Sequence, residues 1–259
     1  VLLEVKDLNI SLTSEKSVAE HISFRLGQGE MLSIVGSSGA GKTTICKAIM
    51  GLLGNAYRAD GEILFQGEDL LDLPERKRQT IYGKEICLIM QNPMTAFNPS
   101  IRVGRQMEKT YLLHHGKTPR QEMQRLFAAI LQKLGLEDTQ RILNSYPFTL
   151  SGGMLQRLMI AAALMCQPAL LVADEATTAI DACNRIGLMR ELKSFCKDGM
   201  SVLFVTHDLR SASVSDRILV MDRGQIVEQG KTEQILNTPK EDYTKYLLNA
   251  CRLERREMS

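Results

Sequence analysis

The segment Gly36-Ser37-Ser38-Gly39-Ala40-Gly41-Lys42-Thr43 has the form G-x-x-x-x-G-K-[ST]. Glycines at this spacing let successive backbone N–H groups turn inward and ring a chain of phosphates. Lys42 supplies a point charge to the β- and γ-phosphates, and the Thr43 hydroxyl is a ligand for Mg²⁺. Such a loop needs a strand to deliver it and a helix to leave it, with the helix's positive end aimed at the same anion. The flanking pattern provides both. Met31–Val35 is almost continuously apolar, and Thr43 to Leu53 reads as a helix stopped by Gly54-Asn55.

Further along, Leu170-Leu171-Val172-Ala173-Asp174-Glu175 is an apolar strand ending in two acids. Successive side chains on a strand point opposite ways, so adjacent acids can hold two jobs. Taken alone, the pair reads equally well as a surface turn after a buried strand. With a phosphate loop in the same chain, Asp174 suits the magnesium shell, and Glu175 suits orienting and deprotonating an attacking water. His207 follows Val202–Thr206, again at a strand end, where ligands of parallel α/β sheets collect. There it can hydrogen-bond a γ-phosphate. Ser151-Gly152-Gly153-Met154 precedes an apolar helical run; Ser151 is a good N-cap, and the segment reads either as a plain cap or as a second anion site. The neighbours His114 and His115 lack i, i+4 spacing and read as solvated loop rather than a metal pair.

The elements that must hold these residues alternate in type. Val1–Val5, the stretch around Ile22–Phe24 and Gly61–Gly67 are strand candidates, giving a β-rich N-terminal part. From about 92 to 160 the pattern is helical; Thr118-Pro119-Arg120-Gln121 resembles a capping box, and Gly135 closes the helix that follows. Ala169–Ala173 and Val202–Val205 are strands of βαβ units, Ile218–Met221 and Gln225–Glu228 flank a hairpin turn, and about 236–259 forms a helical tail.

Composition narrows the function classes. Lys+Arg 32 against Asp+Glu 30 in 259 residues leaves a net charge of +2, which argues against nucleic acid as a partner. The clusters Arg76-Lys77-Arg78 and Arg252 to Arg256 read as solvated surface. Six cysteines without CxxC spacing read as buried free thiols of a reducing compartment. No apolar run approaches the ~18 residues that span a bilayer. These features predict a protein that meets a membrane only through a partner.

Together these pieces resemble the ATP-binding cassette (ABC) ATPases. The phosphate loop, Gln91, Ser151-Gly152-Gly153, Asp174-Glu175, Thr178-Ala179-Ile180-Asp181 and His207 stand in that family's order. The resemblance implies an α/β fold: a P-loop core with an N-terminal antiparallel β subdomain and an inserted helical subdomain, forming one ATPase domain over 1–259. It implies ATP and Mg²⁺ as bound groups, with Thr44 and Asp181 joining the nucleotide contacts and Gln91 reaching both the magnesium and the water. It also implies a head-to-tail pair of cassettes, in which Ser151, Gly152, Gly153 and Met154 face the nucleotide on the opposite subunit. The implied partners are a second cassette, expected to be a paralogue, two integral membrane permease subunits and an extracytoplasmic solute-binding protein. Attachment would be peripheral, on the cytoplasmic face of the membrane.

Gln91-Asn92-Pro93-Met94-Thr95-Ala96-Phe97-Asn98-Pro99 and Ser151-Gly152-Gly153-Met154 are similar to the peptide and nickel importer branch. Tyr146-Pro147-Phe148 and the Met154–Arg157 run are most similar to the first ATPase subunit of nickel importers, so nickel is the expected solute and peptides the alternative. One departure is Leu12, which stands near the position where the family often stacks an aromatic on adenine.

Overall fold

The computed structural model describes residues 1–13, 16–176 and 182–257. Chain order is β1 (Leu3–Leu12), β2 (Ser17–Leu26), β3 (Met31–Val35), α1 (Lys42–Ile49), β4 (Tyr57–Phe65), β5 (Glu68–Asp69), α2 (Glu75–Ile81) and β6 (Ile86–Ile89). A helical stretch follows: α3 (Val103–His115), α4 (Arg120–Lys133), α5 (Thr139–Asn144) and α6 (Gly152–Met165). The chain then returns to alternation with β7 (Leu170–Asp174), α7 (Ala182–Cys196), β8 (Ser201–Thr206), α8 (Leu209–Ala212), β9 (Arg217–Asp222), β10 (Gln225–Lys231), α9 (Thr232–Asn237) and α10 (Asp242–Glu257).

Two sheets result. The smaller is antiparallel, in the order β2-β1-β4-β5. The larger runs β10-β9-β3-β8-β7-β6, parallel except for β10, which pairs antiparallel with β9 at the edge. Its central strands read as unbroken apolar runs because both faces are covered. Leu170, Val172, Leu203 and Val205 pack toward α1 and the small sheet. Leu171, Ala173, Val202 and Phe204 face the opposite way, into a core shared with α3, α4, α6 and α7. A third cluster joins Val35, Ile218 and Val220 to α8, α9 and α10.

Several local expectations need correction. Helix α1 stops at Ile49 rather than Leu53, because Gly51 turns the chain at φ +63° ahead of Gly54-Asn55. Pro119, not Thr118, holds the N-cap of α4, with no side-chain capping bond, so the capping-box pattern is not used. His114 and His115 are not in a loop; they form the last turn of α3, where His115 stacks on Tyr111 at 4.4 Å between ring centroids and its Nε2 lies 3.1 Å from the Met165 carbonyl. The strands β5 and β6 were not foreseen. Among the described residues, no helix is long and apolar enough to cross a membrane.

Candidate nucleotide site

Four neighbouring parallel strands, β3, β8, β7 and β6, end along one edge of the large sheet. Each delivers a candidate residue there: Gly36 follows β3, His207 follows β8, Asp174 and Glu175 end β7, and Gln91 lies just beyond β6.

The phosphate loop is wedged between backbone segments that leave no room for side chains. A Cβ on Gly36 would sit 2.2 Å from the Met221 carbonyl oxygen, and one on Gly41 would sit 2.8 Å from that of Val18. Gly41 also has φ +96°, a conformation cheap only for glycine. It enters α1 directly, so the first N–H groups of that helix point at the loop. Ser37, Ser38, Gly39 and Thr43 are exposed along the rim, Thr44 is half-buried, and Ala40 is buried beneath. Lys42 is 5% exposed, and its ammonium folds back to donate to the carbonyls of Gly36 (2.8 Å) and Ser37 (2.7 Å). The Thr43 hydroxyl donates to Asp174 Oδ1 at 3.1 Å.

Glu175 sits at the centre of the polar network. Gln91 Nε2 donates to its Oε2 at 2.7 Å, and His207 Nδ1 lies 3.2 Å from its Oε1. The Glu175 backbone adopts φ +47°, which costs an ordinary residue roughly 1–2 kcal/mol. Its N–H is nevertheless anchored to the Val205 carbonyl at 2.9 Å. The left-handed turn breaks the strand alternation at Asp174 and carries the two carboxylates to separate tasks, one toward Thr43 and one toward Gln91 and His207.

Burial lowers the Lys42 pKa despite the upward pull of Glu175 and Asp174. Burial likewise raises that of Asp174, against the hydrogen bond from Thr43. A buried ammonium and a half-buried carboxylate are thus both only partly compensated. A phosphate beside Lys42 and a divalent cation beside Thr43 and Asp174 would complete the compensation. The oxygen-only donor set of hydroxyl and carboxylate suits Mg²⁺. The residues therefore fit a magnesium-bound nucleotide phosphate.

A family model described as "ABC transporter" matches residues 19–178. The chain belongs to that family. As such it is an ATPase cassette that binds ATP with Mg²⁺. It is 41% identical over 251 residues to the metal-staphylopine import system ATP-binding protein CntD of Staphylococcus aureus, covering 96% of this chain and 92% of the relative. It is also 41% identical over 254 residues to the oligopeptide transport ATP-binding protein OppD of Bacillus subtilis, covering 95% and 71%. Among solved structures, it matches a dimeric ATP-binding cassette in a post-hydrolysis state with ADP and Pi at TM-score 0.78 and 26% identity, over 89% of this chain and 98% of that one.

The cassette does not bring every candidate together. Ser151 caps α6, its hydroxyl accepting from Met154 N–H at 3.3 Å; Ser151 and Gly152 are exposed, while Gly153 and Met154 are half-buried. Among the described residues, no hydrogen bond joins this helix end to the network around Lys42 and Glu175. Asp181 and the rest of Thr178–Asp181 lie outside the described residues.

Two tyrosines escaped the sequence reading. The Tyr243 hydroxyl, from α10, accepts the Ser37 N–H at 3.1 Å. Tyr57 is the direct cross-strand partner of Leu12. Neither had a sequence signal, because each contact depends on register or docking between distant segments.

Proposed function

We propose that this cassette hydrolyses ATP at an interface between two cassettes and so drives solute import through membrane permease subunits, with nickel or a nickel chelate as the solute. In this reading residues 1–259 form one ATPase domain, with about 92–160 as its helical subdomain and about 236–259 as its tail. The N–H groups of Gly36 to Thr44 and the Lys42 ammonium hold the phosphates. Mg²⁺, held by Thr43, Asp174 and Gln91, neutralises phosphate charge when bound. Glu175 takes the proton of the attacking water, with Gln91 and His207 fixing its two oxygens. His207 then lies within reach of the terminal phosphate. The directly opposed pair Leu12 and Tyr57 share one face of the small sheet, so Tyr57 supplies the aromatic plane for adenine that Leu12 lacks. Ser151, Gly152, Gly153 and Met154 serve the nucleotide of the opposite cassette, as does Asp181. The partners are that second cassette, two permease subunits and an extracytoplasmic solute-binding protein. Attachment is peripheral, at the cytoplasmic face of the membrane.

One observation carries the metal assignment: near-full-length similarity to a metal-staphylopine import subunit. Equal identity to an oligopeptide transport subunit favours peptide import as the second reading. None of the cassette residues named here touches solute, so uptake in cells is the decisive measurement. Deletion should reduce nickel accumulation at trace supply, with excess nickel restoring it. Unchanged nickel uptake combined with resistance to toxic dipeptides would establish the peptide reading instead.

A further inference from the structure

Helix α10 is docked beside the phosphate loop by contacts that do not need a hydroxyl. Its residues Tyr243, Leu247 and Leu248 pack on a cluster that contains Val35, the last residue of β3 and the one that delivers Gly36. Thr244 is fully buried. The Glu228 carboxylate of β10 accepts the N–H groups of Lys240 (2.8 Å) and Glu241 (3.2 Å), which sets where the helix starts. Toward its other end, the Arg210 guanidinium of α8 donates to the Cys251 carbonyl at 2.6 Å. The Tyr243 ring is half-buried and stacks on Tyr246 at 6.5 Å between centroids. Its hydroxyl does something apart from docking: it accepts the Ser37 N–H at 3.1 Å.

The Ser37 N–H and the Gly36 carbonyl belong to one peptide plane. That carbonyl accepts from the Lys42 ammonium at 2.8 Å, so the plane is held at both ends, by Lys42 on one side and by Tyr243 on the other. The Ser37 carbonyl accepts from Lys42 at 2.7 Å and also from the Ala40 N–H at 3.2 Å. An ammonium has three donors, and two of these are occupied by loop carbonyls. To reach both a β- and a γ-phosphate, Lys42 must release at least one carbonyl. The Ser37 carbonyl keeps the Ala40 N–H when the ammonium leaves, whereas no second donor to the Gly36 carbonyl is found among the described residues. With the ammonium withdrawn, Tyr243 alone holds the Gly36–Ser37 plane, and glycine on one side of that plane restrains it weakly.

We propose that Tyr243 is a positioning residue for the phosphate loop: its hydroxyl keeps the Gly36–Ser37 peptide in place while the Lys42 ammonium exchanges loop carbonyls for phosphate. This role rests on the reading above, in which Lys42 holds the nucleotide's phosphates. Its effect has a defined state dependence. In the nucleotide-free chain Lys42 still holds the plane, so the hydroxyl adds little. In the nucleotide-bound chain the hydroxyl is the remaining tether, so it contributes to affinity. The same bond makes α10 part of the nucleotide site, because a helix lifted from Val35 and Ile218 takes the acceptor of the Ser37 N–H with it.

The test is Tyr243→Phe in the full chain, which keeps the ring and its apolar contacts and removes only the acceptor. Titration with a fluorescent ATP analogue and Mg²⁺ should give a Kd raised roughly 5-fold, the effect of one neutral hydrogen bond. The urea midpoint without nucleotide should stay at the parent value, while the stabilisation that ATP adds to it shrinks. In the assembled transporter KM for ATP should rise by a similar factor, with kcat within about twofold of the parent. A Kd equal to the parent's overturns the role. So does a Kd raised only together with a lowered nucleotide-free midpoint, which marks a general loosening of α10. Lys42→Ala separates these failures from failure of the phosphate assignment. If Lys42→Ala also binds ATP like the parent, the assignment of phosphate to Lys42 falls; if it loses affinity while Tyr243→Phe does not, only the role of Tyr243 falls.

Discussion

Replacing the loop glycines one at a time with alanine should separate two physical causes of the loop's intolerance. Gly36 has an ordinary backbone conformation, but its added Cβ would lie 2.2 Å from the Met221 carbonyl oxygen and 3.1 Å from the carbonyl carbon. That is more than ~1 Å inside normal contact. The obstacle is backbone of β9, which is hydrogen-bonded to β3 and cannot rotate away. The loop must therefore move by about an ångström, a displacement that can cost roughly 100-fold in a positioned site. Gly39 presents the opposite case: no atom lies within 4 Å of where an added methyl would stand, yet φ is +84°. Alanine there pays only the left-handed penalty of roughly 1–2 kcal/mol. Gly41 combines φ +96° with a 2.8 Å contact to the Val18 carbonyl oxygen. The expected order of lost ATP affinity is Gly39→Ala least, with Gly36→Ala and Gly41→Ala far larger. A fluorescent ATP analogue titrated into each variant measures affinity, and urea unfolding measures stability beside it. If Gly36→Ala binds nucleotide like the parent, the wedge between β9 and the loop is not what shapes the site.

Three further outcomes follow from the same geometry. Glu175→Gln keeps hydrogen-bonding groups for Gln91 and His207 but removes the carboxylate proposed as the base, so turnover should fall by roughly 10²–10⁴ while ATP still binds and holds a closed dimer; near-normal steady-state hydrolysis would remove Glu175 from the catalytic role. Gly152→Asp places a carboxylate at the exposed start of α6, so hydrolysis should be lost while the isolated monomer keeps its ATP affinity; a strong loss of monomer affinity contradicts a two-cassette site. Tyr57→Ala should weaken ATP binding by roughly the 1–3 kcal/mol of base–aromatic stacking, with GTP affected similarly; unchanged affinity in a folded variant takes Tyr57 away from adenine.

What the sequence disclosed depended on whether local chemistry or distant register decided the matter. The Gly36–Thr43 loop was legible because one contiguous segment holds the glycines, the ammonium and the hydroxyl. The strands β3, β7 and β8 were legible as apolar runs with both faces covered. Strand β6 was not, since Ile86-Cys87-Leu88-Ile89 is only four residues long and carries no alternation, even though Gly83 turns the chain just before it at φ +80°. The His114-His115 reading failed because the helix that holds them is fixed by Val103, Met107 and Tyr111 at its buried face, and adjacent residues at its end carried no periodicity of their own. Tyr57 and Tyr243 were invisible for a different reason. Their relevance comes from the β1–β4 register and from docking of α10, neither of which a linear pattern encodes.

The arrangement of the site bears on how binding and turnover are divided. Lys42, Thr43, Asp174, Gln91, Glu175 and His207 come from four strand ends of one sheet, and their mutual bonds form within a single chain. A monomer thus holds the Glu175 carboxylate already clamped on both oxygens, and it presents a phosphate loop shaped by its own backbone. What it does not bring to that edge is the start of α6, whose N–H groups are tied to Ser151 alone in the described network. Anion-binding capacity is therefore placed where the chain's own nucleotide network does not use it. On the two-cassette reading this separation has a direct physical consequence. Affinity for ATP is set within one chain, whereas a complete hydrolytic site needs the exposed helix end of another, so hydrolysis becomes conditional on the two cassettes closing. Coupling to transport then requires only that the membrane subunits control that closure, with no need to alter the base, the phosphate loop or the residues that hold magnesium.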